Sequence, residues 1–336
     1  MKRINLIVLT ALLTLPVLAL SQSMVGTTAA YFLGIEVGGR SVGMGGAHVA
    51  SVNDATALYW NPGAATQVPG SEALFVHSEY LAGTSFDYLA TVFHMGGMGT
   101  IGLSATVLDY GNLIHTTIED PDGTGLTFGA TDMAIGVTLA RAMTDRFSIG
   151  GSVKFISQTI WHESARSVAV DVGTLYRTDF NGLVMGMSIS NFGLPMKMSG
   201  SDLEHFYDIA EELDGNNGKI VSELETAYFN LPLVFRAGVA MDVFRNETMS
   251  LILAVDALHP NNNYESVNVG MEYELLKKFY ARAGRKALFL EDTEEGLTAG
   301  FGLLIPMRGV KVRLDYGYEY FGRLQDIQNF SLALDF

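Results

Sequence analysis

From residue 72 to the end of the chain, apolar and polar residues alternate one by one. Between Val310 and Tyr320 one parity holds Val310, Val312, Leu314, Tyr316, Tyr318 and Tyr320, and the other holds Lys311, Arg313, Asp315, Gly317 and Glu319. Successive side chains of a strand point to opposite faces, so this segment has one apolar face and one charged face. The last strand repeats the design, with Phe330, Leu332, Leu334 and Phe336 against Asn329, Ser331, Ala333 and Asp335. Val267 to Tyr273 and Leu233 to Met241 do the same, placing Glu272 and Arg236 on the polar parity.

Fourteen such segments can be read, near 72–80, 85–94, 99–109, 131–142, 146–157, 165–177, 182–190, 230–242, 247–257, 265–274, 278–286, 295–304, 309–320 and 326–336. A soluble β-sandwich alternates too. The polar face separates the two architectures, because it carries small residues and opposite charges on most strands. Such a face suits a polar lumen, with lipid on the apolar side. The expected fold is therefore all-β, a transmembrane antiparallel barrel of about 14 strands over 72–336. Loop lengths point the same way. Met95–Met98, Thr144-Asp145, Thr178–Asn181 and Leu275–Lys277 read as short turns, whereas Gly111–Ala130, Gln158–Ser164, Asn191–Phe229 and Ala287–Glu294 read as longer loops at the other end. Short periplasmic turns opposite longer outer loops are usual in bacterial barrels. Within 191–229, helical spacing of Leu203, Phe206, Ile209, Ala210 and Leu213 predicts a short helix capped by Ser201 or Asp202 and stopped at Gly215. A second is predicted near Lys219, using Ile220, Leu224 and Ala227.

Composition reinforces this picture. Only 17% of the 336 residues are charged and 37 are glycine, against roughly 25% charged in soluble domains. The net charge of −15 and the lack of a basic stripe argue against a nucleic-acid partner. There is no cysteine, which removes disulfides, thiolate chemistry and lipid attachment at a Cys. Met1-Lys2-Arg3, the apolar run Ile4 to Leu20 and the small residues near Ala19 and Ser21 predict a cleavable signal peptide over 1–21. An N-terminal membrane anchor is the alternative, disfavoured by Pro16.

Residues 22–71 do not alternate. They contain Gly38-Gly39-Arg40-Ser41-Val42-Gly43-Met44-Gly45-Gly46-Ala47, then Asn53-Asp54-Ala55-Thr56-Ala57-Leu58-Tyr59-Trp60-Asn61-Pro62-Gly63-Ala64. Asn53 or Asp54 is expected to cap a short helix that Asn61-Pro62-Gly63 ends, and the glycines permit close backbone approach. A phosphate loop is excluded, since neither G-x-G-x-x-G nor a Walker lysine is present.

These two motifs and the strand series resemble the PorV/PorQ group within the FadL-like outer-membrane proteins, over essentially the whole mature chain. The group often has Ala after its Asn-Pro pair where this chain has Gly63-Ala64. The resemblance implies a fourteen-stranded FadL-like barrel in the outer membrane, with 22–71 folded into the lumen as a plug and Asn61-Pro62 at its junction with the barrel. It further implies a non-enzymatic role in type IX-like secretion or surface attachment, with secretion subunits and cargo proteins as partners. A FadL-like channel for hydrophobic small molecules is the alternative. The inward positions assigned from sequence are mostly small or charged, which weakly favours partner binding. Phe330, Leu332, Leu334 and Phe336 resemble the C-terminal signal read by the barrel assembly machinery, which with outer-membrane lipid completes the expected partners.

Catalytic motifs are lacking. The seven histidines are scattered, with neither H-E-x-x-H nor a G-x-S-x-G elbow. Glu119–Gly123 and Asp214–Gly218 do not follow the calcium-loop pattern and read as solvated turns. No metal or cofactor is expected. Lumen charges such as Lys311, Arg313, Asp315, Glu319, Arg236 and Glu272 are expected to neutralise one another, because unpaired buried charge is costly.

Overall fold

The computed structural model describes residues 26–180, 182–209, 212, 219–290, 293–324 and 326–336. The predicted signal peptide and residues 22–25 lie outside them. The first seven strands are β1 (Glu72–Glu79), β2 (Ser85–His94), β3 (Thr100–Ile114), β4 (Thr127–Ala142), β5 (Phe147–Ile160), β6 (Glu163–Arg177) and β7 (Val184–Gly193). The second seven are β8 (Val234–Arg245), β9 (Met249–Pro260), β10 (Ser266–Leu275), β11 (Phe279–Leu288), β12 (Leu297–Met307), β13 (Val310–Glu319) and β14 (Ile327–Asp335). Each strand pairs antiparallel with the next, and β14 pairs with β1 from Glu72↔Asp335 to Glu79↔Gln328. The ring is thus a closed fourteen-stranded barrel with no free edge, the form of sheet that can sit in lipid. Among the described residues no helix is long and apolar enough to cross a membrane.

Alternation decides the two faces of the wall. Phe75, Leu89, Val137, Val153, Val170, Met187, Val255, Phe301, Leu314 and Leu332 all stand exposed on the outside. The intervening residues, such as Asp171, Asp256, Glu272, Arg282 and Asp315, are buried inside. A wall that exposes large aliphatic and aromatic side chains all round while burying its charges is built for a non-aqueous surrounding.

Several strands run further than the alternation suggested. β3 and β4 continue past a register shift at Asp109/Asn112 to pair Ile114 with Thr127, so the Gly111–Ala130 loop shrinks to 115–126. Likewise β5 and β6 pair as far as Ile160↔Glu163, turning the expected Gln158–Ser164 loop into a tight turn at Trp161-His162. Exposed polar residues such as Thr127 and Thr159 break the apolar signal there, but the backbone ladder continues.

The helices predicted after residue 200 do not form. Ser201–Leu203 is one 3-10 turn, and Glu204–Tyr207 pairs with Ile220–Glu223 as a small hairpin. Ala210, Leu213 and Gly215 lie outside the described residues. An amphipathic helix needs a surface to bury its apolar stripe. Phe206, Ile209, Ile220 and Leu224 are all exposed, and pairing of the β-branched Ile220-Val221 satisfies the backbone instead.

Residues 29–70 pack inside the ring. They touch strands around the whole circumference, and the wall carries glycine where their backbone passes. A Cβ on Gly270 would collide with the Met44 carbonyl oxygen, one on Gly284 with the Gly45 nitrogen, and one on Gly150 with the Pro62 carbonyl oxygen. Gly270→Ala and Gly284→Ala are therefore expected to destabilise the folded chain by about 1–3 kcal/mol through overpacking and to make 29–70 accessible to protease. Gly97→Ala, where nothing lies within 4 Å, should change neither. Denaturant unfolding in detergent and limited proteolysis read both.

Candidate functional site

The inner segment is locally shaped by its own motifs. Ser41 Oγ donates to the carbonyls of Val37 (2.5 Å) and Gly38 (2.7 Å), winding the turn Gly39–Gly43. Gly45 and Gly46, at φ +66° and +71°, then reverse the chain. Gly39 and Gly43 pass directly against the backbones of Asp315 and Gly300. Asn61 is fully buried. Its Oδ1 caps the 3-10 turn Pro62–Gln67 through the Gly63 N–H, and its Nδ2 donates to the carbonyls of Val49 (2.9 Å) and Thr174 (3.0 Å). One amide thus ties the segment to itself and to β6. The capping expected of Asn53 and Asp54 is different in detail. Asp54 Oδ1 accepts the Thr56 N–H (3.0 Å) at the turn that leads into the helix Ala57–Trp60, while its other oxygen and Asn53 Oδ1 face arginines.

Those arginines belong to a closed ring of alternating charge. Arg40 meets Glu272 through two bonds, Nε–Oε2 at 2.8 Å and Nη2–Oε1 at 2.9 Å. Arg282 bonds Glu272 Oε2 (2.6 Å) and Asp315 Oδ1 (2.6 Å). Arg313 approaches Asp315 (3.4 Å), Glu72 (3.2 Å) and Asp54 (3.6 Å), and Asp54 returns to Arg40 (3.5 Å). Arg40 also donates to Asn53 Oδ1. Two members come from the inner segment and the rest from β1, β10, β11 and β13. Burial alone would raise the pKa of Asp54, but Arg313 and Arg40 outweigh it and hold the carboxyl well below its usual range.

A second anchor lies across the lumen. Asp256 Oδ2 accepts the backbone N–H groups of His48 (2.7 Å) and Val49 (2.8 Å). Burial pushes the His48 imidazole down to about 3, with the charge of Arg40 adding to the effect. The ring is therefore neutral, bonded through Nδ1 to Ser51 Oγ (2.9 Å) and edge-on to Trp60. Arg236 stands over the rings of Tyr59 and Trp60 at 5.6 and 5.4 Å.

Of the charges assigned to the lumen from sequence, Arg313, Asp315, Glu319, Arg236 and Glu272 are largely or fully buried. Lys311 is not among them. It is exposed at the rim beside Met307, Val310 and Phe336, because β13 begins there. Phe330, Leu332, Leu334 and Phe336 face outward, and the Phe336 backbone pairs with Ser71. Sequence reasoning passed over Glu36, Glu72, Asp256, Arg282 and Lys286. Arg282 and Lys286 lay open to view, since they share the parity of Tyr280 and Gly284 in β11.

Two cavities flank the inner segment. One of about 220 Å³ lies toward the end of the barrel carrying the 261–265, 289–296 and 320–326 connections, and Tyr31, Ile35, Glu36, Leu258 and Phe321 line it. Another of about 310 Å³ lies toward the opposite end, between Ala50–Asn53 and Leu175, Ala240 and Ile252. Between them Met44, Ala47 and Ala50 pack against Ala240 and Ala254. Among the described residues no cluster could hold a metal ion.

No protein-family model matches the chain, and no curated protein matches it in sequence. Solved structures share its fold. The toluene transporter TodX of Pseudomonas putida superposes with a TM-score of 0.55 at 13% identity, over 89% of this chain and 96% of that one. The CymD monoaromatic hydrocarbon channel gives 0.55 at 12%, over 89% and 97%. A FadL homologue from Pseudomonas aeruginosa gives 0.54 at 12%, over 93% and 98%. The architecture is that of the FadL-like barrels.

The buried neutral His48 gives the fold a pH signature. Its pKa is depressed in the folded chain, so its contribution is complete above the unfolded value of 6.5 and is lost as pH falls below it. Wild type should lose stability between about pH 6.5 and pH 4, and His48→Gln should flatten that slope in denaturant unfolding measured across pH. An unchanged slope would place the titrating group elsewhere.

Proposed function

We propose that this chain is an outer-membrane channel for small apolar molecules, with residues 29–70 as the plug between two cavities. One observation carries the reading: the cavity of about 220 Å³ on one side of the segment, walled in part by Tyr31, Ile35, Leu258, Phe321 and Ile327. A cavity of about 150 Å³ can hold benzene, so this one takes a single ring-sized molecule. The outward apolar wall supports a membrane location. The similarity in fold to a toluene transporter and a monoaromatic hydrocarbon channel supports the substrate class. Passage requires the Met44–Ala50 stretch to part from Ala240 and Ala254, a contact sealed by Met44, Ile252 and small side chains.

The PorV/PorQ-type reading, in which the barrel binds secretion subunits or cargo, draws on another observation. Phe206, Ile209, Val221, Leu224 and Tyr228 are apolar and exposed on the loop between β7 and β8, a composition suited to protein contact. Removing 201–224 should abolish partner capture if that reading holds and leave small-molecule passage intact if it does not.

The channel reading is tested with the full chain in liposomes. Toluene uptake should exceed that of empty liposomes. The cysteine-free background allows a clean lock, Ala50→Cys with Ala240→Cys. Oxidation should cut uptake about tenfold or more, and reduction should restore it. Uptake equal to that of empty liposomes would refute the channel.

A further inference from the structure

The cavity beside Tyr31 has an unusual charge arrangement. Three carboxylates converge on one ammonium: Lys286 Nζ lies 2.7 Å from Glu319 Oε1, 3.4 Å from Glu36 Oε1 and 3.8 Å from Glu295 Oε2. One ammonium thus serves three carboxylates, so the cluster holds more negative than positive charge. The second cation of the lining, Arg236, is seated on the faces of Tyr59 and Trp60.

Unused hydrogen-bonding capacity at the same cavity has the same sense. Asn329, 1% exposed and in the cavity lining, donates Nδ2 to Ser78 Oγ (2.7 Å), while its Oδ1 has no partner. Glu36 Oε2 is also buried without a partner. Both orphans are acceptors, and a buried acceptor without a donor is costly. Asn329 and Glu319 stand on the same inner face, since Asn329 lies two positions from Ile327, the cross-strand partner of Glu319. Tyr31, Tyr80, Tyr264 and Phe321 complete the lining, and aromatic faces attract organic cations.

We propose that this cavity selects apolar molecules bearing a protonated amine, the ammonium lying among Glu36, Glu295 and Asn329 and the apolar part against the tyrosines and Phe321. The inference rests on the channel reading and narrows its substrate class. A hydrocarbon fills the space but leaves both acceptors unmet. An ammonium supplies donors to them and balances the carboxylates. Charge-assisted hydrogen bonds of this kind are among the stronger ones.

Protonation of Glu36 would weaken the attraction. Burial pushes its carboxyl up to about 7, opposed by Lys286 and reinforced by Glu319 and Glu295. Amine binding is therefore expected to tighten from about pH 6 to about pH 8, where a primary amine is still protonated.

The probes are benzylamine and toluene, of equal ring and different charge, bound to the full chain in nanodiscs at about pH 8 and followed by saturation-transfer NMR and calorimetry. Benzylamine should bind about tenfold or more tightly than toluene. Glu295→Gln, on a partly exposed side chain that tolerates change, should weaken benzylamine binding far more than toluene binding and so remove much of the difference, and Glu36→Gln should do the same. Toluene binding as tightly as benzylamine would overturn the amine preference and leave the channel reading standing. A benzylamine preference indifferent to both substitutions would overturn this site. Binding of neither probe would overturn both.

Discussion

A charge inside a barrel wall has nowhere to hide. Taken out of water without a partner it costs several kcal/mol, and removing one partner from a buried pair costs about 3–5 kcal/mol. In this chain the ring members on β1, β10, β11 and β13 are two arginines and three carboxylates, and the inner segment adds one of each, Arg40 and Asp54. Arg40 gives Glu272 a second arginine and Asp54 gives Arg313 a further carboxylate, so the pairing is shared between wall and segment. The doubly bonded Arg40–Glu272 contact fixes the turn Gly39–Gly43 against the wall, and that placement in turn requires glycine on β12 and β13. The steric fit and the ionic fit are thus two consequences of one docking.

Much of this fold is legible in the sequence because period-two alternation is a direct record of which way each side chain points. The pattern alone counts fourteen strands, and parity puts Arg313, Asp315 and Glu319 on the buried face. Parity cannot report depth, so Lys311 shares the inward phase yet stands exposed where β13 starts. Nor does it mark strand ends, where the ladder of β3–β4 and β5–β6 continues beyond the apolar band. The loop after β7 departs from expectation for a different reason. Helical spacing of apolar residues implies a helix only when something buries the stripe, and Phe206, Ile209 and Leu224 are exposed.

The candidate site is less readable. Arg40 and Asp54 stand out within conspicuous motifs, but nothing in one dimension pairs Arg40 with Glu272 across 232 residues. The cavity is harder still, since Glu36, Lys286, Glu295 and Glu319 come from the segment, a strand, a loop and another strand. Inward glycines such as Gly270 and Gly284 read as small lumen residues and give no sign that they mark the track of a second backbone. Sequence motifs suggest a partner-binding barrel; the cavities that flank the inner segment, from which the proposed passage of small molecules is argued, leave no mark in the sequence.

Conductance in planar bilayers tests the central claim most directly: that the charge ring holds the inner segment across the lumen as a barrier. The wild-type chain should show no steady ion current, because the segment packs across the inside of the barrel and Arg40 and Asp54 tie it to the wall. Arg40→Ala should release the segment and produce frequent openings. A constant, large ohmic conductance in the wild type, unchanged by Arg40→Ala, would contradict the account.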